Sequence, residues 1–194
     1  MIKEQFLYFA QFPRKEGIAA MFTNGESSFE EYAQLLEALE KLPNKSRIPQ
    51  IDNYVYGQSF EELQARLDKC FGSYLFVDYG EMQIAADSRN TYQLTQRIAV
   101  TIAIKVSDRT DSAERMLASD KTLTILAQLH AILLADADNG NIEWLSRAEL
   151  DKAEYVPFVA TELNSIGWTL MLNAIAPDTL QIHQQYKSFA KNSE

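Results

Sequence analysis

In the stretch RIAVTIAIKV, residues 97–106, the apolar side chains Ile98, Val100, Ile102, Ile104 and Val106 alternate with Arg97, Ala99, Thr101, Ala103 and Lys105. A period of two sustained this far belongs to a strand with one buried face, because successive side chains on an extended chain point to opposite sides. Such a strand requires a sheet, and a sheet with one buried face requires something laid upon it. Both are in the neighbouring sequence. Upstream, SYLFVDYGEMQIAA puts Leu75, Val77 and Tyr79 on one face, after which the apolar phase slips and continues through Met82, Ile84 and Ala86. A one-residue slip at Gly80 predicts a β-bulge, with glycine supplying the positive φ that some bulges need. Asp87 to Asn90 has turn chemistry, so the two strands form a long hairpin.

Downstream, Ser112 is expected to cap a helix reaching to about Asp136. Ala118, Thr122, Ile125, Leu129, Ile132 and Leu133 recur at helical spacing, and Leu123, Leu126, Ala127, His130 and Leu134 widen the stripe. That arc is too broad for a helix that covers a sheet and otherwise faces water, so the helix must touch something on a second side.

Two shorter helices precede the hairpin. Ser28 before FEEYAQLLEALEKL has the spacing of a capping box with Glu31, and Phe29, Tyr32, Leu35, Leu36, Leu39 and Leu42 form the apolar stripe. Ser59 caps FEELQARLDKCF in the same manner, with Glu62 at the third position. Between them, Tyr54-Val55-Tyr56 reads as a strand. Further strands are expected around Pro157 and in GWTLMLNAIA, and a weak helix in the tail from Thr179 to Phe189. The fold class is therefore α+β: a single antiparallel or mixed sheet with a long β-hairpin and helices packed on one face. Residues 28–176 form the core domain, 1–27 an N-terminal arm and 177–194 a C-terminal tail.

Composition narrows the function. The 194 residues are 46% hydrophobic and 23% charged, which suits one globular domain, and the net charge of −9 is spread over both halves. Neither half is a basic module, so coating of a nucleic-acid duplex is disfavoured, while a small local basic patch stays open. The lone Cys70 excludes an intrachain disulfide and a cysteine zinc cluster, and it reads as a small buried apolar residue. The longest uncharged run, Thr122 to Ala135, is too short to span a bilayer, and the N-terminus lacks the basic region of a signal peptide. A cytoplasmic protein without membrane contact is expected.

Motifs for chemistry are few. There is no GxGxxG or Walker loop among the seven glycines, and no GxSxG elbow. His130 and His183 stand far apart without metal-ligand spacing; His130 is expected to be partly buried with a hydrogen-bond partner and His183 to lie at the surface. Asp78 and Glu81 could in principle form an acid–base pair, but in a strand they read as an outward polar face. Asp136 and Asp138 with Asn139-Gly140 look like a calcium loop until the required acid six positions past the glycine proves to be Ser146. No catalytic, cofactor or metal residue is assigned.

The hairpin LFVDYGEM…YQLTQRIAVTIAIKV, the helix SAERMLASDKTLTILAQLHAIL and the strand IGWTLMLNAIA together resemble the bacteriophage tail-completion proteins, or tail terminators, over residues 28–176. The resemblance lies in element order and texture rather than in a short motif, and residues 1–27 depart from it. It implies a non-enzymatic structural protein, without cofactor, that forms a homohexameric ring capping the tail tube and meeting the neck proteins. Such a protein would be cytoplasmic in the host and then part of the virion. Self-association is expected through Leu123, Ala127 and Leu134 on the long helix and through a second patch on the hairpin, Arg97, Thr101 and Lys105. Two other classes remain open: an α+β ligand-binding or regulatory protein, marked by a concave apolar pocket at the hairpin–helix junction, and an enzyme with a perturbed carboxylate in such a pocket.

Overall fold

The computed structural model describes residues 1–19, 26–58, 60–67, 71–86, 92–108 and 110–176. In chain order the elements are α1 (Ile2–Phe9), α2 (Lys15–Ala19), α3 (Glu31–Glu40), β1 (Asn53–Gly57), α4 (Phe60–Leu67), β2 (Ser73–Ala86), β3 (Tyr92–Lys105), α5 (Ser112–Asp138), α6 (Arg147–Leu150), β4 (Glu154–Ala160) and β5 (Ser165–Ala176). The strands make one five-stranded sheet in the order β1-β2-β3-β5-β4. β1 runs parallel to β2, reached through α4, and the other pairings are antiparallel. The chain is α+β, with one mixed sheet carrying the expected long hairpin.

The alternation read in β3 is realised strand by strand. Ile98, Val100 and Ile102 are buried, and their partners Leu172, Leu170 and Trp168 on β5 share that face. α5 lies over it with Thr122, Ile125, Leu126, Leu129 and Leu133 turned inward. Its cap is Asp111 rather than Ser112: the Asp111 carboxylate accepts from the backbone N–H of Ala113 (2.8 Å) and Glu114 (3.2 Å), satisfying two of the donors a helix start leaves open.

Helices on one face is accurate for α1 and α5, but α4 packs on the other. Leu63 and Leu67 join Val55, Tyr74, Phe76, Ala103, Ala160 and Leu163 in a second buried cluster. The hairpin strands therefore bury both faces at the end near α4.

Residues 1–19 are not an arm. Phe6, Tyr8, Phe9, Ala10, Phe12 and Ile18 belong to the main core, with Phe9 and Phe12 fully buried. The loop before β1 seals them in place, Arg47 N–H donating to the Gln11 carbonyl (3.0 Å) and Ile48 N–H to that of Phe12 (3.1 Å). The face under α5 is wider than one helix covers, and α1 fills the remainder beside β1.

Near the other end of α3 the expected capping box is absent. The helix begins at Glu31 without a side-chain cap, and Ser27, not Ser28, accepts from the Phe29 N–H. Phe29, expected on the apolar stripe, is 74% exposed. Of the α3 side chains only Leu39 is buried, because the helix touches the core with its C-terminal turn. The Ser59 cap, Cys70, the turn at 87–90, and the tail with His183 lie outside the described residues.

The bulge is where the phase slip placed it. Pairing jumps between Tyr79 and Met82, so Gly80 and Glu81 together face Arg97. Its geometry differs from expectation: the positive-φ glycines among the described residues are Gly72 and Gly140, not Gly80. What limits residue 80 is space, since a Cβ there would sit 3.1 Å from the Arg97 carbonyl oxygen. Any Cβ meets that backbone oxygen, so Gly80→Ala should already cost about 1 kcal/mol in urea unfolding and Gly80→Val about 1–2 kcal/mol. A neutral Gly80→Ala would show that the Arg97 carbonyl yields and that space does not limit this position.

Candidate functional site

Three surfaces merit chemical reading, and two of them are built by elements distant in sequence. On the sheet face opposite α5, the open half is a polar trough of about 340 Å³ lined by Glu81, Gln83, Thr95 and Arg97 of the hairpin, Met171 and Asn173 of β5, and Glu149, Lys152 and Glu154 of the α6–β4 segment. The bulge turns Glu81 toward Arg97, and the strand period puts Thr95, Arg97 and Asn173 on one side. Asp78 is half-buried opposite Ala99 on the same face. Lys152 Nζ lies 2.9 Å from Glu149 Oε1, and Asn173 Nδ2 donates to Oε2 at 3.4 Å. Hydrogen bonding from Lys152, outweighing burial, holds the Glu149 carboxyl below its ordinary range. That is opposite to the upward shift a general acid needs at neutral pH.

Of the hairpin residues expected to form one interface patch, only Arg97 is exposed. Thr101 is 2% exposed and its Oγ1 lies 2.8 Å from Thr169 Oγ1 on the neighbouring strand. Lys105 is half-buried, its ammonium donating to the Leu67 carbonyl at the end of α4. The three do share a face, as the alternation requires. The cluster around α4 covers the part holding Thr101 and reaches Lys105, so the patch cannot serve as a continuous external surface.

The long-helix residues divide as well. Leu123 and Leu134 are half-buried and Ala127 is exposed. Leu134 packs against the main core, whereas Met116 and Leu117, one turn into α5, are 65% and 63% exposed. Much of the arc's second side is covered within the chain, since Ile132 and Leu134 pack on the core, and the large exposed apolar side chains Met116 and Leu117 lie toward the helix start, outside that arc.

The third surface lies at a junction of the hairpin with helices, where the ligand-binding reading expects a concave apolar pocket, although the sequence assigns none of its residues to a site. Ile2, Lys3 and Phe6 of α1, Phe29, Glu31, Tyr32 and Leu35 around α3, Tyr56 of β1 and Tyr79 of β2 line an apolar groove of about 610 Å³. Its floor is aromatic: the Tyr56 and Tyr79 rings stack at 4.7 Å and Phe6 meets Tyr56 edge-on at 5.4 Å. The Tyr56 hydroxyl donates to the Ile2 carbonyl (3.0 Å), and burial pushes its pKa well up. Lys3 and Glu31 supply the charges of the lining. Reading α1 as an arm and Phe29 as core hid this groove; the aromatic density of both segments was the available signal.

Two titratable residues singled out by the sequence have structural places. His130 Nε2 donates to the Leu150 carbonyl (3.2 Å), which leaves Nδ1 to accept from the Tyr155 hydroxyl (2.9 Å); burial moves its pKa down, favouring this neutral ring. Asp136 accepts from the Tyr8 hydroxyl (2.5 Å) and pairs with Arg47 (2.6 Å). Among the described residues no group of three or more His, Cys, Asp and Glu is placed to hold a metal ion, and no helix is long and apolar enough to cross a membrane. Comparison of the chain with protein-family models, curated proteins and solved structures returned no match.

Proposed function

We propose that the protein is a non-enzymatic assembly protein, a tail-terminator-like ring subunit at a phage head–tail junction that meets tail-tube and neck proteins and ends in the virion. The observation that carries this reading is the uncovered apolar side of α5: Met116 and Leu117 exposed, Leu123 half-buried and Ala127 exposed beyond them. Apolar surface grouped in this way marks a contact site. The far half of the hairpin adds exposed Met82 and Ile84, a second surface for a neighbouring chain. The trough brings mixed charges together with its shifted carboxylate moved downward, which suits a polar contact face. Element order over residues 28–176 supports the same assignment.

Leu123→Glu tests the helix. An interface position should keep the parent melting temperature while losing assembly, and a position packed within the subunit should lose stability. Unchanged stability together with unchanged assembly would overturn the reading of this side. Gene context tests the assignment as a whole, since tail-tube, tape-measure and head-completion genes are expected beside this one and a metabolic operon would overturn it.

The groove at the junction of the hairpin with α1 and α3 favours a second reading, a ligand-binding protein, because it is concave and aromatic. That reading expects saturable one-to-one binding of an apolar fluorescent probe, lost in Tyr79→Ala.

A further inference from the structure

We infer that residues 177–194 of this chain, which lie outside the described residues, fold back across the exposed apolar face of the hairpin and seat Tyr186 and Phe189 in the groove between α1, α3 and the β1–β2 edge. The inference goes beyond the assembly reading. It gives the hairpin face, which that reading offers to a neighbouring chain, an occupant within the subunit, and it leaves the α5 side untouched.

The end of β5 selects the occupant. Ala176 stands opposite Leu94, and Leu94 opposite Ile84, so the chain leaves the sheet on the row that holds Ile84. The pairing also fixes the face. Met82 stands opposite Gln96, which is buried and accepts from Gln5 of α1, so Met82 and Ile84 lie on the side of the sheet that carries α1 and the groove. They are 41% and 58% exposed. Beyond Met82 the same side continues to Tyr79 in the groove lining, with exposed Ile2 and Phe29 across from it. An apolar path thus runs from the end of β5 to the groove.

Reach and order agree with this path. Two strand spacings across and five residues along separate the end of β5 from Tyr79, about 20 Å on the diagonal. The ten residues from Ala176 to Tyr186 span up to about 33 Å, which leaves slack for crossing the face. Leu180 and Ile182 come first, at Ile84 and Met82. Tyr186 and Phe189 follow, at the aromatic floor of Phe6, Tyr56 and Tyr79. The groove, about 610 Å³, takes two aromatic side chains, which bury large areas and pack edge-on or offset against other rings. A tether this short holds the segment at an effective concentration on the order of millimolar, which favours the chain's own groove over that of another copy in dilute solution.

Charge is compatible. Residues 186–194 carry Lys187, Lys191 and Glu194. Glu31 and Lys3 line the groove, and Glu26 and Glu30 are exposed beside Phe29. Two cations and one acid therefore meet three acids and one cation, and each sign has a counterpart.

Two measurements on the full chain test the contact, with thermal melting to check that each variant folds like the parent. The first is titration with the uncharged dye Nile red. Tyr186→Ser combined with Phe189→Ser should bind it about tenfold more tightly than the parent, as for a groove left open about one tenth of the time. Adding Tyr79→Ala should remove that gain. Equal affinities of parent and double variant, or a gain that survives Tyr79→Ala, would overturn the inference. The second is disulfide formation in a Cys70→Ser chain carrying Phe189→Cys with either Phe29→Cys or Glu143→Cys. Glu143 is exposed and adjoins Trp144, whose carbonyl accepts from the Ile175 N–H (2.9 Å), so an undirected segment would meet position 143 at least as readily as position 29. The within-chain disulfide to position 29 should form about tenfold faster. Equal rates, or disulfides that form only between chains, would overturn the inference. If the cysteine chains melt early, the dye titration decides. Neither measurement involves Leu123, so the assembly reading stands or falls separately.

Discussion

A chain lacking residues 1–19 is expected not to fold. Phe9 and Phe12 are completely buried, and Trp144, after α5, packs on Tyr8 (5.7 Å between ring centroids) and Phe9 (5.9 Å). Gln5 donates to the buried Gln96 side chain at 2.9 Å, and the Tyr54 hydroxyl donates to the Phe6 carbonyl at 3.0 Å. Emptying a buried phenylalanine site costs about 3–5 kcal/mol. A whole domain is stable by only about 5–15 kcal/mol, so removal of Phe9 and Phe12 together approaches or exceeds the total. The milder substitution Phe9→Ala should lower the unfolding free energy in urea by about 3–5 kcal/mol. Circular dichroism and urea titration decide the matter. A truncated chain that still unfolds cooperatively would restore the arm.

The second large effect is expected at Asp136. Its carboxylate is 10% exposed and the Arg47 side chain 29%, and the guanidinium also lies over the rings of Phe12 (5.1 Å) and Tyr8 (5.8 Å). Asp136→Ala would leave a half-buried guanidinium and a buried hydroxyl without their acceptor, at a cost of about 3 kcal/mol. Asp136→Asn keeps an acceptor for Tyr8 and should lose less. Burial pushes the Asp136 carboxyl upward, but hydrogen bonds from Arg47 and Tyr8 and the guanidinium charge outweigh it and hold the group below its usual value. A carboxyl depressed in the folded state contributes stability that is present above its unfolded pKa of about 4. That contribution disappears as pH falls through the folded value. The stability gap between parent and Asp136→Asn should therefore narrow from pH 7 toward pH 3. A gap that is constant with pH would mean that the charge at position 136 contributes nothing.

Much of the sheet layer was legible in the sequence, because periodicity is a local property. The alternation from Ile98 to Ile104 named the buried face of β3, the slip at Gly80 located the bulge, and the stripe through Thr122, Ile125 and Leu129 named the inward face of α5. Hidden from the sequence was what lies against each face. Arg97, Thr101 and Lys105 share a side of β3, but the cluster around α4 closes over Thr101 while leaving Arg97 open, and no pattern within β3 records that cover. The run FLYFAQF has no clean period, so its burial between β1 and Trp144 depended on partners far along the chain. Arg47 and Asp136 lie 89 residues apart, and the groove draws on α1, α3, β1 and β2 at once. Periodicity tells which side of an element avoids water. Which partner excludes the water is decided by packing among distant segments, and on that the interface patch, the arm and the groove all depended.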